Sequence, residues 1–136
     1  MMRFSVDPDD VAATARVEFG VSADRGRLES ALAAPFHTFG GRELFPEIHE
    51  KVAVLFRSMI KDHPFSDGNK RMAINTVLRF VAVNGMRIKD NEDITLRLLA
   101  LLVASDVRFK DQEMDYLKAW FHAHIIRKAG RPPRIG

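Results

Sequence analysis

The sequence predicts an all-α protein, a single compact bundle of about six helices. Apolar residues recur at three-and-four spacing in several stretches, residues that start and stop helices bracket those stretches, and no βαβ alternation or internal repeat is present. At 136 residues the chain is long enough to bury one core without staples. We assign one domain to residues 1–126 and read residues 127–136, rich in Arg, Lys, Pro and Gly, as a basic flexible tail.

The elements follow in order. Asp7-Pro8-Asp9-Asp10 opens the first helix, with Asp7 as N-cap, Pro8 at the first helical position and carboxylates near the positive dipole end. That helix runs to about Phe19 and stops at Gly20. Asp7, Asp9 and Glu18 also have calcium-loop spacing. Val11 and Ala12 stand where such a loop needs an oxygen ligand and a sharp-turn glycine, so calcium is rejected.

A short helix from about Arg27 to Ala33 carries Leu28, Ala31 and Leu32 on one side and ends before Pro35. From Phe36 to Phe45, Gly40-Gly41 lies between apolar and β-branched residues, the pattern of a small surface hairpin. Pro46 then precedes the clearest amphipathic helix, where Ile48, Val52, Leu55, Phe56 and Met59 form one buried stripe. His63 emerges at the end of that stripe, and Pro64 turns the chain away from helical geometry.

From about Asn69 to Asn84 the chain is apolar nearly all round (Met72, Ala73, Ile74, Val77, Leu78, Phe80, Val81), which predicts a helix in the middle of the bundle, ended by Gly85. Asp90 to Asp93 cap a further helix over about 94–104. A last one, about 111–126, shows Met114, Leu117, Phe121 and Ile125 on one face.

Composition narrows the function classes. With no cysteine, disulfide frameworks and thiolate chemistry are excluded. The N-terminal residues lack the apolar stretch of a signal peptide, and no run reaches the ~18 apolar residues of a membrane helix, so a cytoplasmic protein without a membrane partner is expected. The net charge of +3 lies largely in the tail, and the body is close to neutral, so direct nucleic-acid binding is not expected.

The segment that carries chemistry is His63-Pro64-Phe65-Ser66-Asp67-Gly68-Asn69-Lys70-Arg71. Gly68 allows a tight turn. The N–H groups after it begin a helix without intrahelical partners and form an anion site at a positive dipole end. Lys70 and Arg71 add two cations there, against the usual dipole preference but suited to a polyphosphate. Asp67 supplies a hard oxygen for Mg²⁺ already held by phosphates. His63 can take a proton from a hydroxyl near neutral pH. An anion cradle, a metal ligand and a base are the parts needed for phosphoryl or nucleotidyl transfer. His122 and His124, two apart on a helix, face different ways and do not make a metal pair; His37 and His49 have no partner visible in the sequence.

This segment resembles the signature of the Fic/Doc family, His-x-Phe-x-Asp/Glu-Gly/Ala-Asn-Gly/Lys-Arg, at every defined position. Residues 27–35, the Phe39-Gly40-Gly41 turn, and Phe80 with Asn84-Gly85 are similar to its Doc (death-on-curing) branch. The resemblance implies that His63 is the general base acting on a Ser or Thr hydroxyl of a protein. It also implies that Asp67 holds Mg²⁺, that Gly68, Asn69, Lys70 and Arg71 line the phosphates of ATP or another nucleoside triphosphate, and that Phe65 anchors the loop. Residues 38–45, with Thr38, Phe39, Gly40 and Gly41 foremost, would be a flap that docks the target by strand addition.

Two positions separate this chain from AMP-transferring relatives. Those typically carry Gly at the position of Lys70 and a second Arg at that of Ile74. The Doc branch shares this departure, which implies transfer of the γ-phosphate, onto a translation factor such as elongation factor Tu. The inhibitory Ser/Thr-x-x-x-Glu-Gly/Asn motif of many Fic enzymes is approached only by Thr14-Ala15-Arg16-Val17-Glu18-Phe19, which fails at its last position. A separate antitoxin chain is therefore the expected brake. The competing expectations are a Fic-type AMP transferase and a non-catalytic module that binds an antitoxin or DNA.

Overall fold

Asp7 accepts a hydrogen bond from the backbone N–H of Asp9 at 2.8 Å and so starts the first helix, α1 (Pro8–Phe19), at the expected place. Gly20 ends it in the left-handed conformation, its N–H returning to the carbonyls of Ala15 and Arg16. The computed structural model describes residues 5–89, 93–105 and 110–128. The fold is all-α, with six helices and only short strand pairs.

Helix α2 (Arg25–Ala33) begins two residues earlier than its apolar pattern implies, because the Asp24 carboxylate caps it by accepting from the Arg27 N–H at 3.1 Å. A single 3₁₀ turn, Ala34–Phe36, leads into the hairpin of β1 (Thr38–Phe39) and β2 (Arg42–Glu43). Gly40 and Gly41 both have positive φ, +60° and +79°, which a two-residue turn between twisted strands demands.

Helix α3 (Ile48–Lys61) starts with the Glu50 carboxylate accepting from the Glu47 N–H at 3.2 Å. Helix α4 (Asn69–Val83) follows the His63 loop, and β3 (Met86–Ile88) follows α4. Helices α5 (Asp93–Ala104) and α6 (Lys110–His124) complete the bundle. The expected caps between Asp90 and Asp93 fall mostly outside the described residues.

The bundle is organised around α3, against which α2, α4, α5 and α6 all pack. Every residue from Lys51 to Phe56 is buried, as are Met59 and Ile60. The expectation that α4 is the central helix is thereby corrected. Its apolar residues extend round to Leu78 and Val83, which are 40% and 48% exposed, so only part of its circumference is covered. Phe56 meets Phe121 edge-on with ring centres 5.6 Å apart, joining α3 to α6.

The expected last helix is also corrected at its end. It stops at His124, and β4 (Ile125–Arg127) pairs antiparallel with β3, Ile88 opposite Ile125 and Met86 opposite Arg127. Three backbone positions after α4 need hydrogen-bond partners, and the β-branched Ile125-Ile126 pair supplies them better as strand than as a further helical turn. Arg127 and Lys128, assigned to the tail, are thus tied into the fold, with the Lys128 N–H bonded to the Gly85 carbonyl at 3.1 Å. Residues 129–136 lie outside the described residues.

Candidate active site

Helix α3 ends at Lys61, and two residues later His63 has φ +48°, the left-handed region that few non-glycine residues occupy. The turn lifts the imidazole into solvent and sends Pro64 and Phe65 inward; both are buried, Phe65 at 4% exposure within the core. Phe65 thus joins the hydrophobic core beneath the loop.

The loop is clamped from two sides. Residues 22–24, between α1 and α2, run antiparallel to it: Asp24 N–H donates to the Pro64 carbonyl at 2.7 Å, and Ser66 N–H to the Ser22 carbonyl at 3.0 Å. The Ser66 hydroxyl accepts from the Ser22 N–H at 3.3 Å. From the other side, the Asn69 carboxamide accepts from the Phe65 N–H at 2.9 Å and donates to the Phe65 carbonyl at 3.2 Å. Both partners have fixed roles, so the orientation of the amide is settled by them. Its Nδ2 also approaches His63 Nδ1 at 3.4 Å, a long contact. As Nδ2 only donates, that contact suits the imidazole tautomer whose proton is on Nε2.

Gly68 caps α4 in the left-handed conformation, φ +69°. The first bond of the helix is from Met72 N–H to the Gly68 carbonyl at 2.9 Å, so the N–H groups of Asn69, Lys70 and Arg71 precede the intrahelical ladder. They face the end where the helix dipole is positive, a site for an anion. Because the Asn69 side chain closes the loop, its contribution to such a site is its backbone N–H.

Lys70 and Arg71 are both exposed beside that end. The Arg71 guanidinium lies over the Phe19 ring, 5.0 Å from its centre, so the last residue of α1 steadies it. Asp67 is exposed, and its Oδ1 accepts from the Gly68 N–H at 2.8 Å. One exposed carboxylate fits Mg²⁺ carried by phosphates, since that ion takes one or two protein carboxylates and completes its shell with phosphate and water. Ile74, one turn further along α4, is half-buried and packs against the core.

A cavity of about 360 Å³ opens beside the imidazole, lined by Ser22, Asp24, Arg27, His63, Phe65 and Ser66. It is within the size range of small-ligand sites, and it brings the clamp residues and the histidine together. Residues 22–24 and Phe19 were not expected at the site. Their link to it is backbone pairing and ring stacking across the chain, for which the local sequence offers no signal.

The hairpin exists as expected, and Thr38, Phe39, Gly40 and Gly41 are all exposed. Its root is near the N-terminal end of α3, whereas His63 follows the C-terminal end. The remaining histidines lie elsewhere. His49 meets His122 with ring centres 4.5 Å apart at the rim of a second cavity, and burial followed by the neighbouring His122 lowers the His49 pKa. His124 stacks on Trp120 at 3.9 Å and donates from Nδ1 to the Trp120 carbonyl. His37 is exposed.

A helical bundle that presents a histidine loop at the start of a helix, with two cations in that helix's first turn, defines a Fic-type domain. The Fic/DOC family model matches residues 7–81, more than half of the chain. The chain belongs to the Fic/DOC family. Over 117 residues it is 29% identical to Toxin Doc of Mycolicibacterium smegmatis (strain ATCC 700084 / mc(2)155), covering 84% of this chain and 88% of that protein. No solved structure matches it. Among the described residues, no helix is long and apolar enough to cross a membrane.

Proposed function

We propose that the chain is a Doc-like toxin that transfers the γ-phosphate of a nucleoside triphosphate to a Ser or Thr hydroxyl of a translation factor, elongation factor Tu being the first candidate. A separate antitoxin chain holds it in check. The observation that carries this reading is the first turn of α4. Lys70 stands there as a solvent-facing cation, and Ile74 is packed against the core rather than offered as a second arginine.

In the proposed reaction the acceptor hydroxyl attacks the γ-phosphorus in line. A new P–O bond forms, the bond to the β-phosphate oxygen breaks, and the nucleoside diphosphate leaves. The hydroxyl proton goes to His63. A proton taken at Nε2 requires the tautomer protonated on Nδ1, so the 3.4 Å approach of Asn69 Nδ2 is given up when the site is loaded; a contact that long is readily exchanged. The N–H groups of residues 69–71, with Lys70 and Arg71, hold the polyphosphate and the negative charge that spreads over it in transfer. The Asp67 carboxylate would hold Mg²⁺, which neutralises phosphate charge when bound.

The test uses the intact protein, elongation factor Tu, Mg²⁺ and ATP labelled at either the α- or the γ-position. Label arriving only from the γ-position, and abolished by His63→Ala, supports the proposal. Label arriving from the α-position would establish AMP transfer instead. Labelling and growth arrest that both survive His63→Ala would end the enzymatic reading.

A further inference from the structure

Lys51 is a long side chain with no solvent exposure, yet it carries a charge. It occupies a stripe position of α3, three residues after Ile48 and four before Leu55, where an apolar side chain would serve packing better. A buried ammonium persists only when its donors are taken. Its Nζ bonds Glu43 Oε1 at 2.9 Å, the Pro35 carbonyl at 3.4 Å and the Phe45 carbonyl, and it lies 5.3 Å from the centre of the Phe36 ring.

These acceptors frame the hairpin: Pro35 precedes it, Glu43 ends its second strand and Phe45 follows it. The hairpin has no apolar anchor of its own, since residues 38–43 are all exposed and Phe39 is 81% exposed. We propose that Lys51 is the positioning residue that fixes the hairpin on α3, so that its strands meet the acceptor protein in one register. A buried ion pair is a poor source of stability compared with an apolar contact, and its use is to select one arrangement. The proposal rests on the reading of the hairpin as the acceptor-docking element.

The test compares wild type with Lys51→Met, which keeps the bulk and removes the donors, and with Glu43→Ala, which alters only a half-exposed partner and so spares the fold if the first variant does not. Hydrogen–deuterium exchange is read over residues 36–45 and 63–71, Mg·ATP affinity by calorimetry, and transfer kinetics with elongation factor Tu. Exchange across 36–45 is expected to rise about tenfold or more in both variants, with residues 63–71 and ATP affinity within about twofold of wild type. The KM for the acceptor should rise about tenfold with kcat nearly unchanged, the signature of lost docking.

Unchanged exchange across 36–45 overturns the proposal. So does an equal rise across 63–71 with weakened ATP binding, which would mark Lys51 as a general structural residue. A loosened hairpin with an unchanged KM overturns the docking role. If wild type modifies no elongation factor Tu, the reading of the site's acceptor fails, and the exchange pattern alone still decides whether Lys51 holds the hairpin.

Discussion

Asn69 and Phe65 are bonded to each other twice, one carboxamide accepting from the backbone N–H at 2.9 Å and donating to the carbonyl at 3.2 Å. A side chain at the first position of α4 thereby substitutes for a strand partner and closes the loop that presents His63.

Asn69→Ala should therefore lower stability by about 1–3 kcal/mol, the range for a largely buried backbone donor or acceptor left without a partner. Transfer activity should fall with it, because the loop is no longer held against α4. Denaturant unfolding with an unchanged midpoint would refute this account of the loop.

At His63 the strain is in the backbone. His63→Ala keeps a Cβ residue at φ +48° and loses the local polar side chain, whereas Asn is more at ease there. Both variants should lack transfer activity, and His63→Asn should be the more stable by about 0.5–1 kcal/mol. Equal melting temperatures would show that the surrounding clamp, not the residue type, sets this conformation.

His49 makes stability depend on pH. Its folded pKa lies below the ordinary value of about 6.5, chiefly through burial and secondly through His122 and Lys118, with Glu47 and Glu50 opposing. The unfolded chain then binds the proton more readily, so stability is full above that ordinary value and falls as pH drops through the lowered one. His49→Gln should flatten the decline in unfolding free energy between about pH 7 and pH 5. Parallel pH profiles for the two proteins would rule His49 out as its source.

Thr76, in the middle of α4, is fully buried, and its hydroxyl has no hydrogen-bond partner among the described residues. Thr76→Val keeps the branched shape and removes the unpaired polar atom. It should stabilise the protein by about 1 kcal/mol, readable as a rise in melting temperature. A fall would mean that the hydroxyl finds a water the helix depends on.

The parts legible in the sequence were those written in contiguous residues. The N-cap at Asp7, the glycine hairpin turn, the stripe on α3 and the turn at Gly68 that opens α4 all depend on neighbours within one or two turns. What escaped was what long-range pairing decides. The clamp of Ser22 and Asp24 on the loop joins residues some forty positions apart in sequence, and Phe19 meets Arg71 only after α1 has packed. Ile125 has the spacing of a helix and the branching of a strand, and β3 settled which prevailed. The stripe on α3 did not single out Lys51, whose partners belong to a loop that the stripe does not describe.

The pairing of β4 with β3 has an electrostatic consequence. It fixes Arg127 and Lys128, the first cations of the basic C-terminal stretch, beside Gly85, at the far end of α4 from Asn69. The 15 residues of α4 span about 22 Å, more than two Debye lengths in physiological salt. Those two cations are thus screened from the anion site proposed at residues 69–71. If the site takes a nucleotide as proposed, the pull on it would come from Lys70, Arg71 and the helix end itself, and it should respond to ionic strength as a local group of charges does, not as the net charge of the whole chain would suggest.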